Sequence, residues 1–379
     1  MTRYGFVSTF PPTRCGLATF TAALAGVLAA RPGDESVIVR VDDGVPAGPS
    51  LPSSRLRIAG ILHPGDLPSR IRAAVALNRC DVVVVQHEYG IYGGTDGEEV
   101  IDLLDRIRRP VVTVMHTVLA TPRPHQRTVT VAVADRSDAV VAMTAAGSQL
   151  LVDEFGIPSS RLRLIPHGVD EWSLSMPAGA PHPPTVLTWG LLGPGKGIEW
   201  GIRAVALMKA TGSAPVYRVL GQTHPKVILE SGQRYRRALW ALADELGVGE
   251  LVEIDGRYRE PEELALDVAA TDAILLPYDS REQTTSGVLV EAVAAGRPVI
   301  ATRFPHAVEL LSEGTGLLVD QKNPAQIAEA ITSTLRKVAT APAARRQIVH
   351  EPLVNGWSSV GAQYRALAAD LMHALQVAG

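Results

Sequence analysis

Residues 271–301, TDAILLPYDSREQTTSGVLVEAVAAGRPVIA, decide how this chain is read. The apolar run Ala273-Ile274-Leu275-Leu276 stops at Pro277, and a polar loop leads to Thr285-Ser286-Gly287. A second apolar segment begins there with Glu291 one turn inside it. Ala295-Gly296-Arg297-Pro298 ends that segment, and Val299-Ile300-Ala301 opens another strand. The pattern predicts strand, loop, helix, strand, with a small-residue helix start facing the carboxyl end of a strand. The first amides of a helix have no partner inside it and favour an anion. Glu291 repels phosphate; its natural partner is a donor such as a ribose diol. Phosphate held by backbone and a sugar hydroxyl held by carboxylate together describe a nucleotide-sugar site. Taken alone, the stretch also suits an ordinary strand-to-helix turn.

Working outward, 379 residues exceed the size at which one core usually keeps growing, so two domains are expected. A composition 46% hydrophobic and 20% charged, with 34 glycines and 27 prolines, suits a globular enzyme rich in turns. A net charge of -3 gives no support for nucleic-acid binding. Cys15 and Cys80 cannot build a disulfide framework and lack metal spacing, which favours a reducing, cytoplasmic location. The N-terminus, Met1-Thr2-Arg3 and a short strand-like segment, lacks the apolar core of a leader peptide. No stretch of 18 apolar residues predicts a membrane span. Arginines such as Arg106, Arg108 and Arg109 suit either peripheral membrane contact or a solvated surface.

The first half alternates short strands with amphipathic or alanine-rich helices. Strands are expected at Tyr4-Val7, Val37-Val41, Arg57-Ile61, Val82-Gln86, Val111-Met115, Ala139-Ala142 and Leu162-Ile165. Helices are expected at Leu17-Ala30, Pro68-Leu77, Glu98-Arg108 and Ala145-Phe155. Valine runs such as 82–85 suit strands covered on both faces, hence a parallel sheet. Residues 171–184, with four prolines, read as a linker, after which the strand–helix rhythm restarts. The expected division is a first Rossmann-like domain over 1–171 on the acceptor side and a linker over 172–184. A second domain, the nucleotide-sugar side, covers 185–355, and a last helix in 356–379 packs back on the first domain. Two parallel α/β domains facing across a cleft would place ligands at the carboxyl ends of their strands.

Besides the opening segment, three clusters carry chemistry. The loop Ser8–Thr19 runs from strand to helix, where Gly16 lets backbone approach a ligand and Arg14 adds charge. A plain loop is the alternative. His87 and His116 end neighbouring strands, where each suits either a ligand contact or a core position satisfied by a carbonyl. They do not form a metal set, for no third ligand has suitable spacing. Gly190-Leu191-Leu192-Gly193-Pro194-Gly195-Lys196-Gly197 imitates a dinucleotide loop. However, the next strand ends in Gly221-Gln222 rather than an acid, and Lys196 precedes Gly197 rather than Ser or Thr, so neither nucleotide fingerprint fits. Lys196 reads as a cation over a diphosphate, or else as a solvated turn lysine. His224 ends a strand and is a further ligand candidate. Arg234, Arg236 and Arg237 form a basic patch or simply a charged helix face.

With these residues in view, the chain resembles glycosyltransferase family 4 and its two-domain GT-B fold over most of its length. The resemblance is most specific in GLLGPGKGIEW (190–200), TDAILLPYDS (271–280) and SGVLVEAVAAGRPVIAT (286–302), and it includes IPHGVD (165–170) ahead of the linker. It implies transfer of a sugar from a nucleotide diphosphate sugar with retention, without metal or cofactor, to a saccharide, lipid or small-molecule hydroxyl. GDP-mannose, then UDP-glucose, are the donors it suggests. By the same resemblance Glu291 binds the donor ribose and Lys196 neutralises the diphosphate. Gly16 approaches the phosphate, His116 lies near the transferred sugar, and the amides around Ser286, Gly287 and Val288 sit beneath the distal phosphate. His87, Tyr92, Arg14 and Glu282 are candidate acceptor or sugar contacts, with Gly90–Gly94 shaping the acceptor site.

Two departures stand out. Eight positions before Glu291, where the family has its first glutamate, this chain has Gln283, with Glu282 beside it. Leu191 replaces the usual arginine after the first loop glycine, so Arg14, Arg234 or Arg236 is expected to compensate. The opening loop also reads Cys15-Gly16 rather than a glycine pair. The competing expectations are a sugar-nucleotide 2-epimerase and a non-catalytic sugar-nucleotide-binding protein. An epimerase would need more acidic side chains beside the sugar, and the paired carboxylates of a hydrolase are not evident.

Overall fold

The computed structural model describes residues 1–46, 55–170, 183–280, 282, 284–312, 314–340 and 355–378. Residues 172–182 of the expected linker, and Gln283, lie outside the described residues. The chain divides into two compact units, one of Met1–Gly168 with Asn355–Gly379 and one of Val169–Val354.

The first unit is built on β1 (Arg3–Ser8), β2 (Glu35–Val41), β3 (Leu56–Leu62), β4 (Val82–His87), β5 (Val111–Met115), β6 (Ala139–Ala142) and β7 (Leu162–Leu164). These form one parallel sheet in the order β3-β2-β1-β4-β5-β6-β7. The order reverses between β1 and β4, the kind of position where doubly wound sheets bind ligands. Val82, Val84, Val112 and Val114 face one layer, Val83, Val85, Val111 and Met115 the other, and both layers are buried. The valine runs therefore are strands covered on two sides. The helices are α1 (Gly16–Leu28), α2 (Leu67–Leu77), α3 (Glu99–Leu104), α4 (Pro124–Asp135) and α5 (Ala145–Asp153). The helix expected over 98–108 is shorter: a tight turn at Thr95–Gly97 precedes it and Asp105 caps it. Helix α4 went unread because its polar start, Pro-His-Gln-Arg, hides a weak apolar face. A two-residue strand β8 (Gly168–Val169) ends the segment.

The second unit holds β9 (Thr185–Trp189), β10 (Val216–Leu220), β11 (Val252–Asp255), β12 (Ala273–Leu276), β13 (Val299–Thr302) and β14 (Leu317–Val319), all parallel in the order β11-β10-β9-β12-β13-β14. Its helices are α6 (Ile198–Ala210), α7 (Pro225–Ser231), α8 (Arg234–Glu245), α9 (Pro261–Ala269), α10 (Gly287–Ala294), α11 (Pro305–Leu311) and α12 (Pro324–Thr340). Proline opens α7, α9 and α11 inside the first turn, where its missing N–H costs nothing.

After β15 (Asn355–Gly356), the last helix α13 (Trp357–Ala378) lies against α1 in the first unit. Val360, Tyr364, Leu367 and Ala368 are buried in the same core layer as Phe20 and Leu24. Gly361 permits the close approach, since a Cβ there would sit 2.6 Å from Val27 Cγ1. Arg365 Nη1 donates to the Val27 carbonyl at 2.9 Å, satisfying an end group of α1.

Candidate functional site

Three loops of the second unit converge at the carboxyl ends of β9, β10 and β12. Gly190 and Gly221 take positive φ values of 119° and 133°, and a Cβ on Gly221 would lie 2.0 Å from the Gly190 carbonyl oxygen. Two backbone bonds join these loops, Leu192 N to Gln222 O at 2.9 Å and His224 N to Leu192 O at 2.8 Å. Gly197, at φ 62°, opens α6, and a Cβ on it would strike the Pro277 carbonyl at 1.9 Å. Asp279 N donates to Gly195 O at 3.1 Å, while Trp200 Nε1 donates to Asp279 Oδ2, also at 3.1 Å. The glycines thus serve close backbone packing between loops, and Lys196 is carried on a rigid support. Its Nζ lies 4.1 Å from the centre of the Tyr278 ring.

Helix α10 starts at the same edge. Ser286 is its N-cap: Oγ accepts from Leu289 N at 3.2 Å, and its own N–H donates to His306 Nδ1 at 2.8 Å. Of the three amides expected under a phosphate, that of Ser286 is therefore taken, leaving those of Gly287 and Val288 at the open helix end. Glu291 lies further along α10 and reaches back to β9, where Trp189 Nε1 donates to its Oε2 at 3.3 Å. Burial is the main reason its carboxyl is pushed up to about 7. The indole N–H opposes that shift, and nearby Asp170 adds to it. Asp170 is itself raised by burial.

These shifts predict a pH dependence. If Glu291 takes the ribose expected of it, the ribose hydroxyls donate to the charged carboxylate, and only the ionised form binds them well. Affinity for a sugar nucleotide, whose diphosphate diester does not titrate in this range, should climb as pH rises through about 7 and then level off. Calorimetry from pH 5.5 to 8.5 checks this, and a flat profile for the parent would remove Glu291 from the ribose.

His224 caps α7, its Nδ1 accepting from Lys226 N at 3.2 Å. Burial, followed by Lys226 and Lys196, lowers its pKa, so it is neutral at the same edge as Lys196. Arg236 does not replace the missing loop arginine as expected. It is buried, its Nη2 donates to the Gly221 carbonyl at 2.6 Å, and a Cβ on Gly256 would sit 2.6 Å from its Nη1. It props the 221–224 loop instead. Arg234 is exposed at the start of α8. Glu282 donates its backbone N–H to Ser280 Oγ at 3.2 Å.

In the first unit, Gly16 is the first residue of α1 and a Cβ on it would meet nothing within 4 Å, so its position does not require glycine for packing. Cys15 is the N-cap, with Sγ accepting from Ala18 N at 3.4 Å. Arg14 is exposed in the same loop. Fully buried Arg40 on β2 holds that loop by donating to Thr13 Oγ1 at 3.0 Å. His116 follows β5, edge-on to Phe20 of α1 with ring centres 4.8 Å apart. Its Nε2 lies 2.6 Å from Gln86 Oε1, a pairing that assigns the proton to Nε2 and the lone pair to Nδ1. Burial, then His167 and His87, holds it near 3, so it is neutral.

Two acceptor-side candidates are buried. His87 is buried at 1% exposure, burial lowers it to about 4, and neither ring nitrogen has a partner among the described residues. Tyr92 is buried, and its hydroxyl donates to the carbonyls of Gln86 (2.8 Å) and Val7 (3.2 Å). Its hydroxyl serves the fold. Gly93 and Gly94 pack against Glu99 and Glu98 beside it. Sequence reading missed Trp189, Tyr278 and Gln86. The first two stand at strand ends and were visible as aromatic residues there; Gln86 carried no signal. Among the described residues, no group of three His, Cys, Asp or Glu is placed to hold a metal ion.

Comparison with known proteins places this geometry in context. Residues 15–172 match a family profile described as Glycosyltransferase Family 4, and residues 183–337 one described as Glycosyl transferases group 1. The D-inositol 3-phosphate glycosyltransferase of Acidothermus cellulolyticus is 29% identical, over 88% of this chain and 81% of that protein. Its namesake from Nocardia farcinica is 30% identical, over 61% of this chain and 54% of that one. Among solved structures, a glycosyltransferase from Rickettsia africae superposes with a TM-score of 0.76 at 15% identity, covering 98% of this chain and 99% of that one. Anabaena Alr3699/HepE in complex with UDP gives 0.73 at 16% identity, covering 98% and 100%.

Proposed function

Because this chain belongs to glycosyltransferase family 4, we propose that it moves a hexose from a nucleotide diphosphate sugar to a hydroxyl acceptor with retention. The observation that carries this reading is one loop cluster holding a cation without a counter-ion among the described residues, an open helix start and a half-buried carboxylate. The first two suit a diphosphate and the third suits a ribose. In the proposed mechanism, Lys196 and the amides of Gly287 and Val288 stabilise charge as it develops on the leaving diphosphate. The acceptor attacks the anomeric carbon from the face the diphosphate leaves. Its proton passes to the departing phosphate oxygen, so no strong protein base is needed. His116 orients the sugar or the acceptor. The donor is a GDP- or UDP-linked hexose, and UDP-glucose gains weight from the similar fold of Anabaena Alr3699/HepE, which is also solved in complex with UDP-glucose. Free Cys15 and Cys80 suit a cytoplasmic setting, and no described helix is long and apolar enough to cross a membrane.

Incubating the protein with GDP-mannose and with UDP-glucose, each with and without a panel of hydroxyl acceptors, tests this. Acceptor-dependent release of the nucleotide diphosphate with an axial product is expected. Conversion of the sugar nucleotide alone would instead indicate epimerisation, and binding without turnover would indicate a non-catalytic protein.

Gln283 is proposed to grip the transferred sugar through its amide in place of the usual carboxylate. Gln283→Ala should then weaken binding of the intact sugar nucleotide by about ten- to a hundredfold, the cost of an unpaired buried polar group. Affinity for the bare nucleotide diphosphate should not change, and Glu282→Ala should be nearly silent. Titrating both variants with both ligands decides; sensitivity at Glu282 and silence at Gln283 would reverse the assignment.

A further inference from the structure

Tyr278 stands where β12 gives way to the loop that meets the glycine-rich turn, and it is fully buried. Its ring stacks on Phe304, with centres 5.0 Å apart and planes inclined by 27°. Its carbonyl accepts from the Thr302 hydroxyl and from Gln321 Nε2, the latter at 3.3 Å, so ring and backbone are both fixed. Among the described residues the cation over this ring is the half-buried Lys196 ammonium, 4.1 Å from its centre. Among the described residues Lys196 has no carboxylate within ion-pairing distance.

We propose that Tyr278 is a positioning residue that holds the Lys196 ammonium on its ring face, ready for the diphosphate. The inference rests on the assignment of Lys196 to the diphosphate. The choice of partner has a physical logic. A carboxylate would hold the lysine as firmly but would neutralise it, and an incoming diphosphate would have to displace it. A neutral aromatic face attracts the cation through its quadrupole and leaves the full positive charge available. This also bears on Leu191: with no arginine in the loop, a single restrained lysine must meet the leaving group, so freedom in its four-carbon stem is more costly here. The ring adds a dry wall on one side of the ammonium, which strengthens its field at the phosphate.

The buried hydroxyl makes the test clean. It has no partner among the described residues, so Tyr278→Phe removes nothing but the oxygen and keeps the π face. Tyr278→Leu removes the face. Binding of UDP, UMP, GDP and GMP is measured by calorimetry for the parent and both variants, alongside transfer kinetics. The Phe variant is expected within twofold of the parent throughout. The Leu variant is expected to lose about tenfold in affinity for the diphosphate that the parent binds and a similar factor in kcat, while the matching monophosphate stays within twofold. Unchanged monophosphate binding certifies the fold; should Tyr278→Leu fail to fold, Tyr278→Met takes its place. In the background of Lys196→Ala the Leu substitution should have no further effect on diphosphate binding. Equal losses in the Phe and Leu variants, or an undiminished Leu effect without the lysine, would overturn the proposal. If Lys196→Ala alone leaves diphosphate affinity and kcat intact, the assignment of Lys196 fails first; if it is damaging while Tyr278→Leu is silent, only the role of Tyr278 fails.

Discussion

Lys196→Ala is expected to lower kcat/KM by about a hundredfold, with most of the loss in kcat. Removing one preorganised group that stabilises developing charge typically costs ~10²–10³ in turnover. On the proposed assignment the lysine meets a diphosphate that is already charged in the ground state, so part of its contribution is uniform binding and appears in KM. The larger part comes as the bond to the sugar breaks and the bridging oxygen gains charge. Arg236 is committed to the Gly221 carbonyl and cannot substitute, and Leu191 removes the other cation of the loop. Steady-state kinetics at saturating acceptor check this. Values of kcat and kcat/KM within twofold of the parent would exclude Lys196 from the reaction.

Glu291→Gln should weaken nucleotide diphosphate binding by about tenfold or more at pH 8, with or without an attached sugar. The amide keeps one acceptor oxygen but loses the charge that strengthens both bonds to a ribose diol. Its amino group also turns a donor toward Trp189 Nε1–H or toward the ribose. The stability effect runs the other way. In the folded state this carboxyl holds its proton up to about 7, well above its ordinary value. The folded form therefore binds a proton that the unfolded chain has released, and stability falls as pH rises between the ordinary carboxylate range and about 7. The glutamine variant has no such loss and should melt at or above the parent temperature at pH 8. Weaker binding paired with equal or greater stability separates a functional carboxylate from a structural one. Unchanged affinity by calorimetry would remove Glu291 from the donor site.

The strands were the most legible part of the sequence, because burial on both faces writes itself as consecutive valines at 82–85 and 111–112. Helices with one apolar stripe and a capping residue, such as α10 behind Ser286, were nearly as clear. Helices α4, α7 and α11 were not, since each begins with polar residues and proline and two are only seven residues long. In the site, the types at Lys196 and Glu291 announced a charge and its opposite, and both lie at one sheet edge. What could not be read was the company they keep. Trp189 lies about a hundred residues from the carboxylate it touches, and Tyr278 about eighty from the lysine it underlies; only chain topology brings them together. The burial of His87 and Tyr92 was illegible for the opposite reason. A strand-end histidine and a loop tyrosine look accessible in one dimension, and neighbouring layers close over them.

Helix α13 has one more consequence, for the order in which the chain is made. Synthesis runs from Met1 onward, so the sheet of the first unit emerges early, yet the surface of α1 beneath Val360, Tyr364 and Leu367 has no cover until those residues leave the ribosome. The unit of Val169–Val354 has its whole core available before that moment. The second half of the message can thus finish folding ahead of the first, inverting the usual vectorial sequence. Until the last turn of translation, a nascent chain shows an apolar strip around Phe20 and Leu24, and a chaperone that guards such strips would find it there throughout elongation of the second unit.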